Sequence, residues 1–269
     1  MQKIRVTDLA RMKMTGEKIT MLTCYDASFA REMARAGVET VLVGDSLGMV
    51  VQGHPSTLPV TLEEMIYHTE NIARGNRHSF IIADLPFGAY EASKEDAFYA
   101  AAQLMKAGAE MIKLEGDQNV AAITEFLTKR GIPVCAHIGL LPQSVNILGG
   151  YAVQGRELQL AAKLIEDGRA HQAAGAQLLV VECVLAEVGE ALSTALSIPV
   201  IGIGAGAGTD GQVLVMHDML GMKGDITPRF VKDFLAESIQ SGDASIQGAF
   251  KAYVKAVKEE TFPAQEHCF

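Results

Sequence analysis

Eight short apolar runs, rich in β-branched residues, recur along the chain, and longer stretches of helical character separate most of them. This alternation predicts parallel strands joined by helical crossovers, and such strands are apolar throughout when both faces of the sheet are covered. In a chain of 269 residues, eight βα units fit a TIM (βα)₈ barrel in the α/β class. A doubly wound open sheet is the alternative, and the short connection after the seventh run weakens the eightfold pattern there. The runs are residues 19–26, 40–45, 80–86, 111–116, 133–139, 178–184, 199–206 and 213–218.

The helix-like segments carry start and stop signals. Ser28, Thr61 and Ser93 are candidate N-caps, and Glu64 stands three residues after Thr61, which is the spacing of a capping box. A glycine follows directly after each of the clearest segments, which is a usual way to end a helix. These segments are residues 27–36, 61–74, 93–107 and 156–174.

The composition is that of a folded globular protein, with 49% hydrophobic and 20% charged residues. From about residue 228 the sequence predicts two terminal helices that pack outside the barrel. No low-complexity linker or shift in composition divides the chain, so we expect a single domain over residues 1–269.

Charge and hydropathy exclude several functional classes. The net charge of −9, with no cluster of lysines and arginines, argues against a nucleic-acid partner. No apolar run reaches the roughly 18–20 residues of a membrane span, and the N-terminus lacks the apolar core of a signal peptide. We therefore expect a cytoplasmic protein without a membrane partner. The four cysteines, Cys24, Cys135, Cys183 and Cys268, have no metal-ligand spacing and are expected to be structural.

Ionisable side chains stand at the carboxyl ends of nearly all the predicted strands. One such residue is more often a turn or a helix cap than a functional group. In a barrel, however, all eight carboxyl ends meet at one mouth, which is where these enzymes place catalysis. The residues at these ends are Asp26, Asp45, Ser46, Asp84, Lys113, Glu115, His137, Glu182, a glycine cluster at 202–208, His217 and Asp218.

The charges of the side chains at these strand ends limit the kind of ligand that the mouth can bind. Carboxylates that face one pocket repel each other unless a cation lies among them. Asp45 and Asp84, with Glu115 nearby, suit Mg²⁺, although capping of neighbouring helices explains the same spacing equally well. Lys113 lies two residues before Glu115 and so points the same way from its strand. It could contact a substrate carboxylate or a developing oxyanion, or simply neutralise Glu115.

Two further residues are candidates for proton transfer. His137 lies in the apolar sequence CAHIGL, where a lone histidine is more often a hydrogen-bonded structural group than a base. Glu182 lies in VVECVL, and a carboxylate in an apolar strand is costly to ionise unless it is paired. We therefore single out Glu182 as the general base.

The segment GIGAGAGTDG formally contains the dinucleotide-binding pattern G-x-G-x-x-G at Gly206, Gly208 and Gly211. The context does not fit, because another apolar run follows where that fingerprint needs a long helix. We expect these glycines to allow a close approach of the backbone to a ligand or to a neighbouring strand.

Long motifs spread over residues 5–230 resemble the ketopantoate hydroxymethyltransferase family. They include TMLTCYDASFA, LVGDSLGMVVQGHPSTLPVTLEEMIYHT, IIADLPFGAY, IKLEG, AHIGLLPQS, PVIGIGAG and DGQVLVMHDMLG. The resemblance implies a (βα)₈ barrel that transfers a hydroxymethyl group from 5,10-methylenetetrahydrofolate to 3-methyl-2-oxobutanoate, forming 2-dehydropantoate. This is the first step of pantothenate biosynthesis. It also implies a cytoplasmic, Mg²⁺-dependent homodecamer.

The resemblance also assigns roles to individual positions, and none of these positions departs from the family pattern. Asp45 and Asp84 match metal ligands, and Glu115 matches a carboxylate of the metal site that supports the ligands without touching the metal. Asp45, Ser46, Asp84 and Lys113 match positions that bind the oxo acid, and His137 matches a histidine near it. Glu182 matches the proton acceptor for a Mg²⁺-stabilised enolate. The folate-binding residues are not assigned.

Three other functions remain open at this point. A Mg²⁺-dependent carbon–carbon lyase or phosphonomutase of the related barrel superfamily would act on another 2-oxo acid, and a reactive cysteine at the mouth would favour it. A catalytically silent scaffold would be favoured by loss of Asp45, Asp84 or Glu182, which are all present. A nicotinamide-dependent dehydrogenase rests only on the glycine pattern.

Overall fold

A computed structural model describes residues 2–150, 152–222 and 227–269. Eight parallel strands pair in chain order and close into a barrel, which confirms the predicted TIM fold and excludes the open sheet. Every strand is shorter than its predicted run. Most strands end one to four residues early, so Asp45 lies in a connection, whereas Asp84, Glu115 and Glu182 are the last residues of their strands. The strands are β1 (Ile19–Thr23), β2 (Thr40–Val43), β3 (Phe80–Asp84), β4 (Met111–Glu115), β5 (Val134–Gly139), β6 (Leu178–Glu182), β7 (Val200–Ile203) and β8 (Gly211–Leu214).

Helices surround the barrel and include the four segments predicted from their stop signals. They are α1 (Val6–Thr15), α2 (Ala27–Ala36), α3 (Leu47–Val50), α4 (Leu62–Gly75), α5 (Lys94–Ala107), α6 (Ala121–Thr128), α7 (Val145–Leu148), α8 (Leu158–Ala173), α9 (Ala186–Ala195), α10 (Met216–Met219), α11 (Phe234–Gln240) and α12 (Ile246–Lys258). None of the described helices combines the length and the hydrophobicity that crossing a membrane requires.

The predicted caps are confirmed at two helices and wrong at a third. Thr61 and Ser93 cap α4 and α5, and each side chain accepts the backbone N–H three residues on. Helix α2 is capped by Asp26 and not by Ser28, because Asp26 Oδ1 accepts the N–H groups of Ser28 (2.7 Å) and Phe29 (2.9 Å). Asp26 is therefore a helix cap, the ordinary role of such a residue at a strand end.

Helix α1 closes the bottom of the barrel and was not expected from the sequence. Its Leu9 and Met12 are buried against barrel-interior side chains such as Met21 and Phe80. The mouth at the carboxyl ends of the strands is therefore the end of the barrel that α1 leaves uncovered.

The two predicted terminal helices are α11 and α12. Helix α12 packs over the seam between β1 and β8, and α11 packs against α12 through Phe234 and Tyr253. The hydroxyl of the buried Tyr253 on α12 lies 3.0 Å from the Met21 carbonyl and 2.7 Å from the Gln212 carbonyl. One side chain thus contacts both strands that meet where the barrel closes.

The glycine-rich segment serves strand packing. No helix lies between β7 and β8, and a Cβ atom at Gly211 would lie 2.3 Å from the Ile19 carbonyl oxygen on β1. The lack of side chain allows this close approach, as expected, and no helix follows Gly211 as a dinucleotide-binding fold would require.

His171 on α8 is a buried histidine that joins the helices to the barrel. Its Nε2 lies 3.0 Å from the Gly116 carbonyl and its Nδ1 lies 3.0 Å from Thr124 Oγ1. A carbonyl can only accept, so Nε2 carries the proton and Nδ1 accepts from the threonine in the neutral ring. Burial lowers the pKa of His171 below its ordinary value, despite its hydrogen bonds to backbone carbonyls.

We expect His171 to make folding sensitive to mild acid. Its pKa is lower in the folded than in the unfolded state, so its contribution is present above the unfolded pKa of about 6.5 and is lost as the pH falls below it. In His171→Gln, a neutral side chain can keep both hydrogen bonds but cannot titrate. The free energy of unfolding, measured by urea titration, should fall less between pH 7 and pH 5 in this variant than in wild type. The exposed His54→Gln serves as control, and an unchanged pH dependence in His171→Gln would contradict the assignment.

Candidate active site

The register of the parallel strands brings the predicted site residues together. Asp84 on β3 pairs with Lys113 on β4, and Glu115 on β4 pairs with His137 on β5. Glu182 ends β6 beside the end of β5. Every second side chain of a barrel strand points inward, and these residues occupy inward-facing positions at the strand ends. Their side chains therefore meet inside the mouth.

Asp45 and Asp84 form a buried pair of carboxylates. The backbone N–H of Asp45 donates to Asp84 Oδ2 (3.1 Å), which fixes the connection after β2 against the end of β3. Burial raises the pKa of Asp45 well above its usual range, and repulsion from Asp84 and Glu115 raises it further. Burial also raises the pKa of Asp84, where Lys113 offsets the effect only in part. This pair is unfavourable without a compensating cation.

Lys113 is the cation that the chain itself supplies. Its Nζ lies 3.2 Å from Asp84 Oδ1 and 3.5 Å from Glu115 Oε1, and its side chain is buried. Burial opposes the charge, but Asp84, Glu115 and Asp45 together raise the pKa of Lys113 above its ordinary value. With the His137 ring beside Glu115 and Glu182, two cationic groups face four carboxylates, so carboxylates outnumber cations in the cluster.

Glu115, His137 and Glu182 form a row across the mouth. His137 Nδ1 lies 3.2 Å from Glu115 Oε1, and His137 Nε2 lies 3.1 Å from Glu182 Oε2, although the second contact lacks the alignment of a hydrogen bond. Burial and Lys113 disfavour the charged ring, but Glu115 and Glu182 outweigh them and raise the pKa of His137 to about 9. Burial by itself would raise the pKa of Glu115, yet Lys113 and His137 hold it below its ordinary value.

Ser46 lies at the rim of the same cluster. Its Oγ is 2.9 Å from the Tyr25 hydroxyl, and its backbone precedes the single turn of α3. The apolar residues directly after Ser46 form this short helix. The helical turn places Ser46 directly beside the buried Asp45.

The last two candidates, His217 and Asp218, lie in α10 and not on a strand. The His217 ring packs against the Tyr25 ring with centroids 5.5 Å apart. Asp218 is half-buried, and burial raises its pKa to about 6. Tyr25 therefore connects the α10 side of the mouth to Ser46, but no contact of His217 or Asp218 with the carboxylate pair is found among the described residues.

The carboxylate pair fits a hard divalent cation. Asp84 Oδ1 is buried, and among the described residues its polar contact is the ion pair with Lys113, without a well-aligned hydrogen bond. Within that part of the chain, no three His, Cys, Asp or Glu side chains are arranged to hold a metal by themselves. Mg²⁺ often binds through only one or two carboxylates and keeps water or substrate oxygens as its other ligands, so Asp45 and Asp84 suffice. Both oxygens of Glu115 already contact His137 or accept the Gln143 N–H, which suits an indirect role.

Two site residues were missed in the sequence, Tyr90 and Gln143. Both are buried in connections that follow strands, Tyr90 after β3 and Gln143 in a 3₁₀ turn (Pro142–Ser144) after β5. Gln143 Nε2 donates to Asp45 Oδ2 (2.8 Å), and the Tyr90 hydroxyl donates to Gln143 Oε1 (2.7 Å). Their only sequence signal is their place in the FGAY and LLPQS motifs, since neither residue ends a strand.

Comparisons with a family model and with individual proteins point to the same family. The ketopantoate hydroxymethyltransferase family model matches residues 3–265. The 3-methyl-2-oxobutanoate hydroxymethyltransferase of Neisseria meningitidis serogroup B is 58% identical over 266 residues, which cover 99% of each chain. The Thiobacillus denitrificans protein of the same name is 57% identical over 266 residues and covers the same shares.

Solved structures with the same fold are more distant in sequence. A putative phosphonomutase from Burkholderia cenocepacia aligns with a TM-score of 0.64 at 19% identity, covering 81% of this chain and 95% of that one. A phosphonopyruvate hydrolase in complex with oxalate and Mg²⁺ aligns with a TM-score of 0.62 at 14% identity, covering 98% and 93%. At these identities the likeness shows a shared barrel fold alone.

Proposed function

The chain belongs to the ketopantoate hydroxymethyltransferase family and is a transferase enzyme, and from this we propose that it hydroxymethylates 3-methyl-2-oxobutanoate with one carbon from 5,10-methylenetetrahydrofolate. The product would be 2-dehydropantoate, on the route to pantothenate. The observation that carries the proposal is the single buried cluster at the barrel mouth, in which two carboxylates, an ammonium and a candidate base lie side by side.

Asp45 and Asp84 would hold Mg²⁺, and Glu115 would support the site without binding the metal directly. The bound metal would supply Lewis acidity to the keto group of the oxo acid. Asp45 and Asp84 are two buried carboxylates with one ammonium, that of Lys113, between them and Glu115. The negative charge that Lys113 leaves uncompensated supports the assignment of a bound cation. The structural relative phosphonopyruvate hydrolase binds Mg²⁺ with oxalate, a small dicarboxylate.

Glu182 would remove the proton from C3 of the oxo acid. Its side chain is 16% exposed, whereas those of Asp84, Glu115, Lys113 and His137 are all 4% exposed or less. Glu182 is therefore the most accessible of these side chains to a substrate that enters from the mouth. His137 would help to hold the Glu182 carboxylate in place, since its Nε2 lies 3.1 Å from Glu182 Oε2.

Lys113 would stabilise the enolate oxygen as negative charge develops there, and Ser46 would donate a hydrogen bond to the substrate carboxylate. Water would cleave both carbon–nitrogen bonds of the folate-borne methylene, which gives tetrahydrofolate and a one-carbon unit at the oxidation level of formaldehyde. The enolate C3 forms its carbon–carbon bond to this unit as the carbon–oxygen double bond becomes an alkoxide. The proton that Glu182 took from C3 is returned to the alkoxide directly or through solvent, so the hydroxymethyl group forms with no net change in charge.

A lyase or phosphonomutase acting on another 2-oxo acid is the second candidate, because the neighbouring structures share the barrel. A reactive cysteine would favour it. Burial raises the pKa of Cys183, which keeps the thiol next to Glu182 protonated. Cys24 and Cys135 are also buried with raised pKa values, so the cysteines give this alternative no support.

One assay tests the proposed reaction against this alternative. We expect 3-methyl-2-oxobutanoate to be converted only when tetrahydrofolate and formaldehyde, which form methylenetetrahydrofolate, are both present. EDTA should abolish the conversion and added Mg²⁺ should restore it. Folate-independent cleavage of 2-oxo acids or rearrangement of a phosphonate would favour the second candidate, and activity that resists EDTA would contradict the metal assignment.

We further propose that the protein works in the cytoplasm as a homo-oligomer, a decamer as the family resemblance implies. Exposed apolar side chains support an interface between copies. Ile147 and Leu158 are 89% and 90% exposed in the isolated chain, on the helices α7 and α8.

A further inference from the structure

Gln143 makes more contacts within the site than any assigned role explains. Its buried side chain crosses from the connection after β5 to the opposite side of the mouth. There Nε2 donates to Asp45 Oδ2 (2.8 Å) and to the Leu85 carbonyl (2.9 Å). Both partners can only accept, so the amide has one possible orientation.

Tyr90 fixes the other end of the same amide. Its hydroxyl lies 2.7 Å from Gln143 Oε1, and it accepts the backbone N–H of Glu115 at 3.2 Å. The backbone N–H of Gln143 donates in turn to Glu115 Oε2 (3.1 Å). Asp45 and Glu115 are thus held by one network that contains no charged donor.

We infer that Gln143, itself held by Tyr90, is a positioning residue that sets the orientation of the Asp45 and Glu115 carboxylates and thereby the affinity of the site for a divalent cation and the oxo acid. This inference rests on the proposed function, since it takes Asp45 as a metal ligand. It adds two residues that hold the ligand without touching substrate.

The chemistry explains why a neutral amide is suited to this place. Gln143 Nε2 occupies Oδ2 of Asp45, and among the described residues no hydrogen bond to Oδ1 is found. A lysine or arginine there would fix the carboxylate equally well, but it would also cancel the negative charge that attracts the cation. The positive charge of Lys113 is placed instead between Asp84 and Glu115, away from this oxygen.

The test measures Mg²⁺ binding alone by calorimetry, together with KM and kcat. Gln143→Met keeps the length of the side chain and the backbone N–H, but removes all of its side-chain hydrogen bonds. We expect a rise of about 10- to 100-fold in the Kd for Mg²⁺ and in KM, the range found when hydrogen-bonding partners of metal ligands are lost. We expect kcat at saturating Mg²⁺ and substrate to change much less.

A second variant separates positioning from general destabilisation. Tyr90→Phe should weaken Mg²⁺ binding in the same direction, and the loss in the double variant should be smaller than the sum of the two single losses, because Tyr90 and Gln143 share one hydrogen bond. Gln154→Met is the matched control, since within the described part of the chain that side chain donates to the Ala152 carbonyl and to no residue of the site. Thermal melting checks that each variant is folded.

The inference is overturned if folded Gln143→Met binds Mg²⁺ within about twofold of wild type, or if the two substitutions weaken binding additively. A failure of the proposed function gives a different pattern. In that case wild type itself would bind no Mg²⁺ or would not convert 3-methyl-2-oxobutanoate.

Discussion

Replacing Glu182 by glutamine is expected to abolish exchange of the C3 proton of 3-methyl-2-oxobutanoate with solvent deuterium. The amide has the shape of the carboxylate but cannot accept the proton. We expect kcat for hydroxymethyl transfer to fall by about 10²- to 10⁴-fold, the usual contribution of a general base. Proton exchange, followed by NMR without folate, isolates this step from the later chemistry.

Binding should survive the same substitution, because Glu182 contacts His137 and not the carboxylate pair. The Kd for Mg²⁺, measured by calorimetry, is expected to stay close to that of wild type. Glu187→Gln on the exposed face of α9 is the matched control and should exchange normally. Normal exchange in Glu182→Gln would remove this residue from the role of base.

The second large effect is expected for Asp84→Asn, which removes one charge but keeps an oxygen to accept the Asp45 N–H. We expect the Kd for Mg²⁺ to rise by more than about 100-fold, since even the indirect partners of metal ligands contribute 10- to 100-fold. Activity should fall with it. Calorimetry of the metal-free protein with Mg²⁺ measures the change directly.

The stability of Asp84→Asn distinguishes a lost ligand from a damaged fold. Asp45 and Asp84 repel each other in the metal-free chain, so relief of that repulsion should offset part of what is lost when the partner of Lys113 becomes neutral. We therefore expect the metal-free variant to stay folded and Mg²⁺ no longer to raise its melting temperature. Asp96→Asn in the first turn of α5 is the control. Unchanged Mg²⁺ affinity in Asp84→Asn would exclude Asp84 as a ligand.

The sequence predicted the barrel and most of the residues at its mouth. The apolar runs located all eight strands, and their polar ends included Asp45, Asp84, Lys113, Glu115, His137 and Glu182. A strand signal is local, and parallel strands of a barrel must place their carboxyl ends together. The convergence of these residues therefore followed from the chain order alone.

The expectation that polar residues at strand ends meet at the mouth was wrong where such a residue bonds to its own chain neighbours. Asp26 has the same sequence context as Asp45, an acidic residue after an apolar run. Asp26 caps the helix that follows it, whereas Asp45 faces Asp84 and Gln143. The difference depends on how the connection turns after the strand, which neighbouring letters of the sequence do not reveal.

The sequence by itself determined the barrel, the end at which its ionisable side chains meet and the family to which the residues point. Only the tertiary structure decided which strand ends work together and what holds them. Gln143 and Asp45 are 98 residues apart, and Gln143 lies in a turn whose path no periodicity describes. The physical reason is that strands and helices follow local hydrophobic patterns, whereas a buried amide is placed by the acceptors that the rest of the fold presents to it.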